Sequence, residues 1–103
     1  MTDKQFIVEA DFFKAMAHPT RMQILELLRT GEKCVCEITP TLGKEQPNIS
    51  RHLAILKKEG LVQSRKDGLK VIYRISDPKI YNIIDLSAEL IRKYLEDKSV
   101  LVK

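Results

Sequence analysis

The stretch Gln46-Pro47-Asn48-Ile49-Ser50-Arg51-His52-Leu53 decides how the rest of the chain reads. Pro47 suits a first helical turn, and Gly60 suits a stop, so a helix is predicted from Gln46 or Pro47 to about Glu59. At ~100° per residue, Leu53 and Leu56 fall within ~40° of Ile49, and these three form the core side. Pro47, Asn48, Arg51, Ala54 and Lys58 then face the opposite way, Ser50 flanks that outward face and His52 lies nearer the core edge. The outward set has the chemistry of a major-groove reader. Arg bridges O6 and N7 of guanine, Asn bridges N6 and N7 of adenine, and small Ala54 permits close approach. Ser50 and the helix N-terminus are suited to phosphate oxygens. His52 either meets a phosphate or caps the core edge, and the sequence leaves both open.

Immediately downstream, Leu61-Val62-Gln63-Ser64-Arg65-Lys66 and Leu69-Lys70-Val71-Ile72-Tyr73-Arg74-Ile75 flank Asp67-Gly68. Two β-prone runs around Asp-Gly predict a hairpin. Arg65, Lys66 and Lys70 crowd its tip. The chain carries a net charge of +4, but between Lys44 and Arg74 there are eight Lys/Arg against three Asp/Glu. The positive excess therefore sits wholly in the middle third, as an electrostatic footprint for phosphates requires. The expected DNA contacts are Gln46, Asn48, Ser50, Arg51, His52 and Lys58 on the helix, with Arg65, Lys66 and Lys70 on the hairpin.

Upstream of the reading helix lie the chain's two cysteines, Cys34 and Cys36, separated by Val35. The short segment Glu37–Leu42 is expected to be helical. Pro40 is tolerated only in a first turn, so this helix is expected to start near Thr39, with the Thr39 hydroxyl as cap and Gly43 as the turn. Further back, Pro19 opens a helix whose Ile24, Leu25, Leu27 and Leu28 are buried and which Gly31 ends. His18 beside it is expected to be structural. Phe6 to Met16 form a first helix with two apolar stripes, Phe6, Ala10 and Phe13 beside Phe12 and Met16. Asp77-Pro78 opens a last helix with a wide stripe of Ile80, Ile83, Ile84, Leu90, Ile91 and Leu95, broadened by Tyr81, Ala88 and Tyr94. The first and last helices thus carry more apolar surface than one small core needs.

The order helix, helix, short helix, helix, hairpin, helix predicts a mostly α fold with a β-hairpin wing, a winged helix-turn-helix. With 103 residues it is read as one domain, 1–103. The first two helices take about 6–30, the cysteine motif and helix-turn-helix 34–60, the wing 61–76 and the C-terminal helix 77–96. No apolar run approaches the ~20 residues of a membrane span, and Met1–Gln5 lacks the pattern of a signal peptide. The cytoplasm is the expected compartment, where a lone cysteine pair is a metal or redox site sooner than a staple. No Ser-His-Asp set, paired carboxylates, Cys-x-x-Cys or phosphate-binding Gly loop supports an enzyme.

Three segments together carry a resemblance: Ala17-His18-Pro19-Thr20-Arg21, Glu32-Lys33-Cys34-Val35-Cys36-Glu37 and Gln46–Leu53. In this order they resemble the arsenic- and metal-responsive ArsR/SmtB repressors, over roughly residues 10–95. The resemblance implies a homodimeric winged-helix repressor of a palindromic operator in double-stranded DNA, joined through its first and last helices and released by an inducer. It implies that Cys34 and Cys36 match the cysteine pair of the arsenic- and cadmium/lead-sensing members. Two departures stand out. Thr39 occupies the position of a third cysteine in one arsenic-sensing type, and the N-terminal cysteines of the cadmium/lead type are missing. The zinc sensors' site on the last helix is also missing, since Asp85 is followed by Ser87 and no His occurs there.

No cofactor is obligatory on this reading. As(III) or Sb(III) would be held by two thiolates with a third ligand from water, a small thiol or another subunit. A tetrahedral soft divalent metal would need two further protein ligands, such as a second cysteine pair shared between subunits. Two other readings remain: a thiol redox switch at the same residues, and a constitutive DNA-binding protein in which the pair senses nothing.

Overall fold

The computed structural model describes residues 1–98; the last five residues of the expected domain, 99–103, lie outside the described ones. The chain runs α1 (Asp3–Met16), α2 (Pro19–Leu27), a 3-10 turn (Leu28–Thr30), β1 (Lys33–Cys34), α3 (Val35–Leu42), α4 (Gln46–Lys58), β2 (Val62–Asp67), β3 (Lys70–Ile75) and α5 (Lys79–Asp97). This is the mostly helical, winged helix-turn-helix architecture that the sequence predicts. Among the described residues, no helix is long and apolar enough to cross a membrane.

Local chemistry sets the helix starts. Thr2 and Gln5 cap α1 reciprocally: the Gln5 N–H donates to Thr2 Oγ1 at 3.2 Å and the Thr2 N–H to Gln5 Oε1 at 2.7 Å. The helix therefore begins three residues before Phe6, where the apolar pattern first shows. His18 caps α2, its Nδ1 accepting the Thr20 N–H at 3.1 Å, and Pro19 takes the first helical position.

Two expectations need correction. The third helix does not start at Thr39. It starts at Val35 and carries Pro40 inside it. Cys34 supplies the cap through sulfur: Sγ accepts the Cys36 N–H at 2.8 Å, while the Cys34 N–H donates to Glu37 Oε1 at 3.0 Å. A cap that early outweighs the single helical bond that Pro40 removes, since the carbonyl left over belongs to exposed Cys36 and can face water. Thr39 is no cap; its hydroxyl donates back to the Val35 carbonyl at 2.9 Å. The hairpin turn is also displaced by one residue. Asp67 pairs with Lys70, so the turn is Gly68-Leu69, with Gly68 at φ 63° supplying the left-handed conformation.

The sheet holds a strand that the hairpin pattern does not announce. β1 pairs antiparallel with β3, Lys33 opposite Tyr73 and Cys34 opposite Ile72, giving the order β1-β3-β2. Two residues are too few for a visible alternation, and β1 exists because β3 offers it an edge. The core lies between α2, α3, α4 and the base of the wing. Ile24, Leu25, Ile38, Ile49, Leu53, Leu56 and Leu61 are fully buried. α5 joins it through its first two turns, with buried Ile80 and Tyr81 and half-buried Ile84, and the Tyr81 hydroxyl donates to the Leu25 carbonyl. Burial pushes the Tyr81 phenol up to about 12, against the opposing effect of Arg29.

Candidate nucleic-acid interface and thiol pair

Ile49, Leu53 and Leu56 hold α4 by one side, as expected. That seat leaves Gln46, Asn48, Ser50, Arg51, Ala54 and Lys58 exposed on the other side. Small and polar residues there form a ridge that a groove can accept. Lys57 Nζ donates to Ser64 Oγ at 2.8 Å, tying the C-terminal end of this helix to β2. Helix and wing are thereby held as one surface.

His52 does not join that surface. Its ring lies 4.4 Å from the His18 ring, centroid to centroid, and Arg21 Nη1 is 3.2 Å from its Nδ1. Guanidinium only donates, so Nδ1 accepts and the ring is neutral. Burial lowers its pKa, helped by His18, Arg21, Arg51 and Lys44. Arg21 is itself fixed by the Ala15 carbonyl at 2.6 Å. The set clamps α4 to the α1–α2 corner, which is the core-edge alternative for this residue.

On the wing, Lys66 and Lys70 are exposed close to the tip. Arg65 is not free in the same way. Its Nη2 lies 2.5 Å from Glu32 Oε1, with Asp67 at 3.9 Å, and the Glu32 carboxylate raises its pKa. A phosphate would have to displace Glu32 to reach it. Leu69, which the sequence pattern assigns to a strand, stands fully exposed at the tip.

Cys34 and Cys36 are joined in a disulfide, with Cα atoms 5.0 Å apart. Their settings differ. Cys34 is 3% exposed, because it is both a strand residue of the wing sheet and the cap of α3. Cys36 is exposed, in the first turn of α3. The pair opens on a cleft of about 430 Å³, walled by Gln46 and Ser50 from α4 and by Lys70, Val71 and Tyr73 from the wing. The thiol pair thus adjoins both α4 and the wing, not only the turn before α4. No sequence signal reports this closeness; it follows from β1 pairing with β3.

Metal donors are sparse. Among the described residues, no group of three or more His, Cys, Asp or Glu side chains could hold an ion. Two sulfurs, when reduced, suit a trivalent arsenic or antimony centre whose third donor comes from outside this set. They do not complete a tetrahedral site within one chain. On α5, Asp85 is engaged by Arg29, with contacts of 3.0 and 2.8 Å, and that pairing lowers its pKa. Arg29 also binds Glu26 and lies 4.3 Å over the Tyr81 ring. The carboxylate at that place is therefore a fastener between the 3-10 turn after α2 and α5.

Comparison with known proteins bears on the whole arrangement. Residues 18–64 match the profile described as bacterial regulatory protein, arsR family. An uncharacterized HTH-type transcriptional regulator of Methanocaldococcus jannaschii is 50% identical over 82 residues, covering 79% of this chain and 92% of the relative. The arsenical resistance operon repressor of Escherichia coli is 46% identical over 72 residues, covering 69% of this chain and 62% of the repressor. Among solved structures, Rv0081 of Mycobacterium tuberculosis superposes with a TM-score of 0.86 at 33% identity, covering 96% of this chain and 100% of that one. The homodimeric winged helix-turn-helix DNA-binding domain of Mb0332 from Mycobacterium bovis superposes with a TM-score of 0.81 at 31% identity, over 94% of this chain and 93% of that one.

Proposed function

Because the chain belongs to the arsR family of bacterial regulatory proteins, we propose that it is a homodimeric repressor that binds operator DNA and is released by chemistry at Cys34 and Cys36. The observation that carries this reading is the double role of Cys34. Its backbone is a strand of the wing sheet, and its sulfur is the cap of α3, the first helix of the helix-turn-helix. A ligand that draws the sulfur away uncaps α3, at a cost of about 0.5–2 kcal/mol, and pulls on β3 at the same time. The helix-turn-helix and the wing thus feel one event.

On the favoured reading the inducer is As(III) or Sb(III), held by both reduced sulfurs with a third donor from outside the chain's described residues. Similarity to the E. coli arsenical resistance operon repressor supports that chemistry. The disulfide supports a second reading, in which oxidation of the pair is itself the signal. In both, Asn48 and Arg51 read bases, Gln46, Ser50 and Lys58 hold the backbone at the groove edge, and Lys66 and Lys70 follow phosphates along the wing. The dimer sets two copies of α4 about one DNA turn apart, ~34 Å.

Fluorescence anisotropy on the DNA upstream of the gene tests this. The reduced protein binds with sequence preference and with affinity that falls steeply with salt. Arsenite releases it in the favoured reading, and a mild disulfide-forming oxidant does so in the second. Cys34→Ser/Cys36→Ser binds DNA and answers neither. If arsenite still releases the double variant, these cysteines are not the switch.

A further inference from the structure

The cleft beside the disulfide is built asymmetrically. One sulfur is sealed: Cys34 is 3% exposed and its Sγ accepts the Cys36 N–H at 2.8 Å at the start of α3. The other, on Cys36, is exposed and borders the cleft. Around it the walls are polar on the α4 side, at Gln46 and Ser50, and largely apolar on the wing side, at Leu69, Val71 and Tyr73. Lys70 is the one charged residue of the lining. About 430 Å³ is room for a small organic molecule and far more than a bare ion needs.

We propose that this cleft is a binding site for a low-molecular-weight thiol bearing a carboxylate, which exchanges with the disulfide to leave a mixed disulfide on Cys36. This rests on control at the cysteine pair, and it names an organic ligand for that pair. The thiolate attacks Cys36 Sγ, forming the new S–S bond. The Cys34–Cys36 bond breaks, and its electron pair leaves on Cys34 Sγ as thiolate. The incoming thiol is oxidised, Cys34 is reduced, and no further oxidant is consumed. Access selects Cys36 as the sulfur attacked. The N–H already donated to Cys34 Sγ, with the positive end of α3, makes Cys34 the better leaving group. The carboxylate is drawn by Lys70, and the body of the ligand lies against Gln46 and Ser50. Those three side chains are the same ones assigned to DNA, so the adduct and the operator exclude each other directly.

The test uses the full-length Cys34→Ser protein, in which the adduct cannot be expelled by Cys34. Serine is a preferred helix cap, so α3 is kept. Incubated with oxidised glutathione, the variant gains one glutathione on Cys36 by mass spectrometry and releases one glutathione thiol. Cys36→Ser, with only the sealed Cys34, reacts at least about tenfold more slowly. Adding Lys70→Gln to Cys34→Ser slows glutathione about threefold at low salt and not at 1 M salt, and leaves the uncharged disulfide of 2-mercaptoethanol unaffected. Equal rates at the two cysteines, or equal slowing of both reagents by Lys70→Gln, would overturn the site. Operator affinity of the loaded protein is measured separately, with a loss of at least about tenfold expected. A loaded protein that binds DNA unchanged would overturn control of DNA binding through this pair, while the Lys70-dependent adduct would still establish the cleft as a thiol site.

Discussion

The middle of the molecule and its two ends use the same kinds of residue to opposite effect. In α2, α3 and α4, Ile24, Leu25, Ile38, Ile49, Leu53 and Leu56 have no measurable exposure. In α1 and the later turns of α5, equally apolar side chains stand in solvent. Phe6, Ile7 and Val8 are 59–67% exposed, and Leu86, Leu90, Ile91 and Tyr94 are 57–60% exposed. α1 touches the core near its C-terminal end, through Phe12, Ala15 and Met16, and α5 near its start, through Ile80, Tyr81 and Ile84 with the Arg29–Asp85 pair beside them. The middle is closed by its own packing. The ends have the composition of a core with half of it absent, which is the pattern of a face that a second copy covers.

Several substitutions would break or sharpen that contrast. The largest effect is expected in the closed region: Leu53→Ala removes a fully buried side chain and should cost about 2–5 kcal/mol in urea unfolding. Leu90→Glu in the open region should leave that unfolding of the isolated fold nearly unchanged. Instead it should weaken dimerisation by at least about two orders of magnitude in Kd, close to 3 kcal/mol, in sedimentation equilibrium. A dimer that survives Leu90→Glu would place the contact elsewhere. At the outward face of α4, Arg51→Ala should cost about 1–3 kcal/mol in operator binding and relax sequence preference. Lys66→Ala on the wing should weaken all sequences alike by less, lowering the salt slope by about one. If the two variants behave alike, α4 does not read bases through Arg51.

The smallest effect concerns the clamp that seats α4. His52 is neutral in the fold, and its pKa lies below the ordinary 6.5 because of burial and neighbouring positive groups. A lowered pKa means that the unfolded chain takes the proton first. The contribution of the clamp is therefore intact above pH 6.5 and is lost as pH falls through the folded value. Thermal unfolding from pH 7.5 to 5 should show this loss, and His52→Asn should flatten it. A pH response that survives His52→Asn would assign it to another group.

How much of this was legible beforehand depended on how far apart the interacting residues lie in the chain. The core face of α4 was plain in Ile49, Leu53 and Leu56, since helical periodicity is a local property. Pro19 and Gly60 marked their helix boundaries for the same reason. The start of α3 departs from the local pattern because the Cys34 sulfur, not a hydroxyl, caps the helix, and the helix carries Pro40 in its interior. His52 lay on the boundary between faces, and only its contacts with His18 and Arg21, 34 and 31 residues away, turned it inward. Arg65 has the same sequence signature as Lys66 and Lys70, and only Glu32, 33 residues away in the chain, sets it apart.

By itself the sequence determined the helices and the hairpin, the apolar stripe of each long helix, the positive middle third and the family that the cysteine and reading-helix motifs resemble. Each of these rests on residues a few positions apart, where backbone geometry alone sets which side chains share a face. Tertiary structure alone decided where the cysteines sit relative to the wing. Lys33 and Cys34 become a strand because residues 72 and 73 present an edge to them, a pairing that no local pattern encodes. That pairing buries one sulfur, leaves the other open to the cleft and sets Lys70 and Ser50 beside it. Two residues that look equivalent in Cys-Val-Cys thereby become chemically distinct.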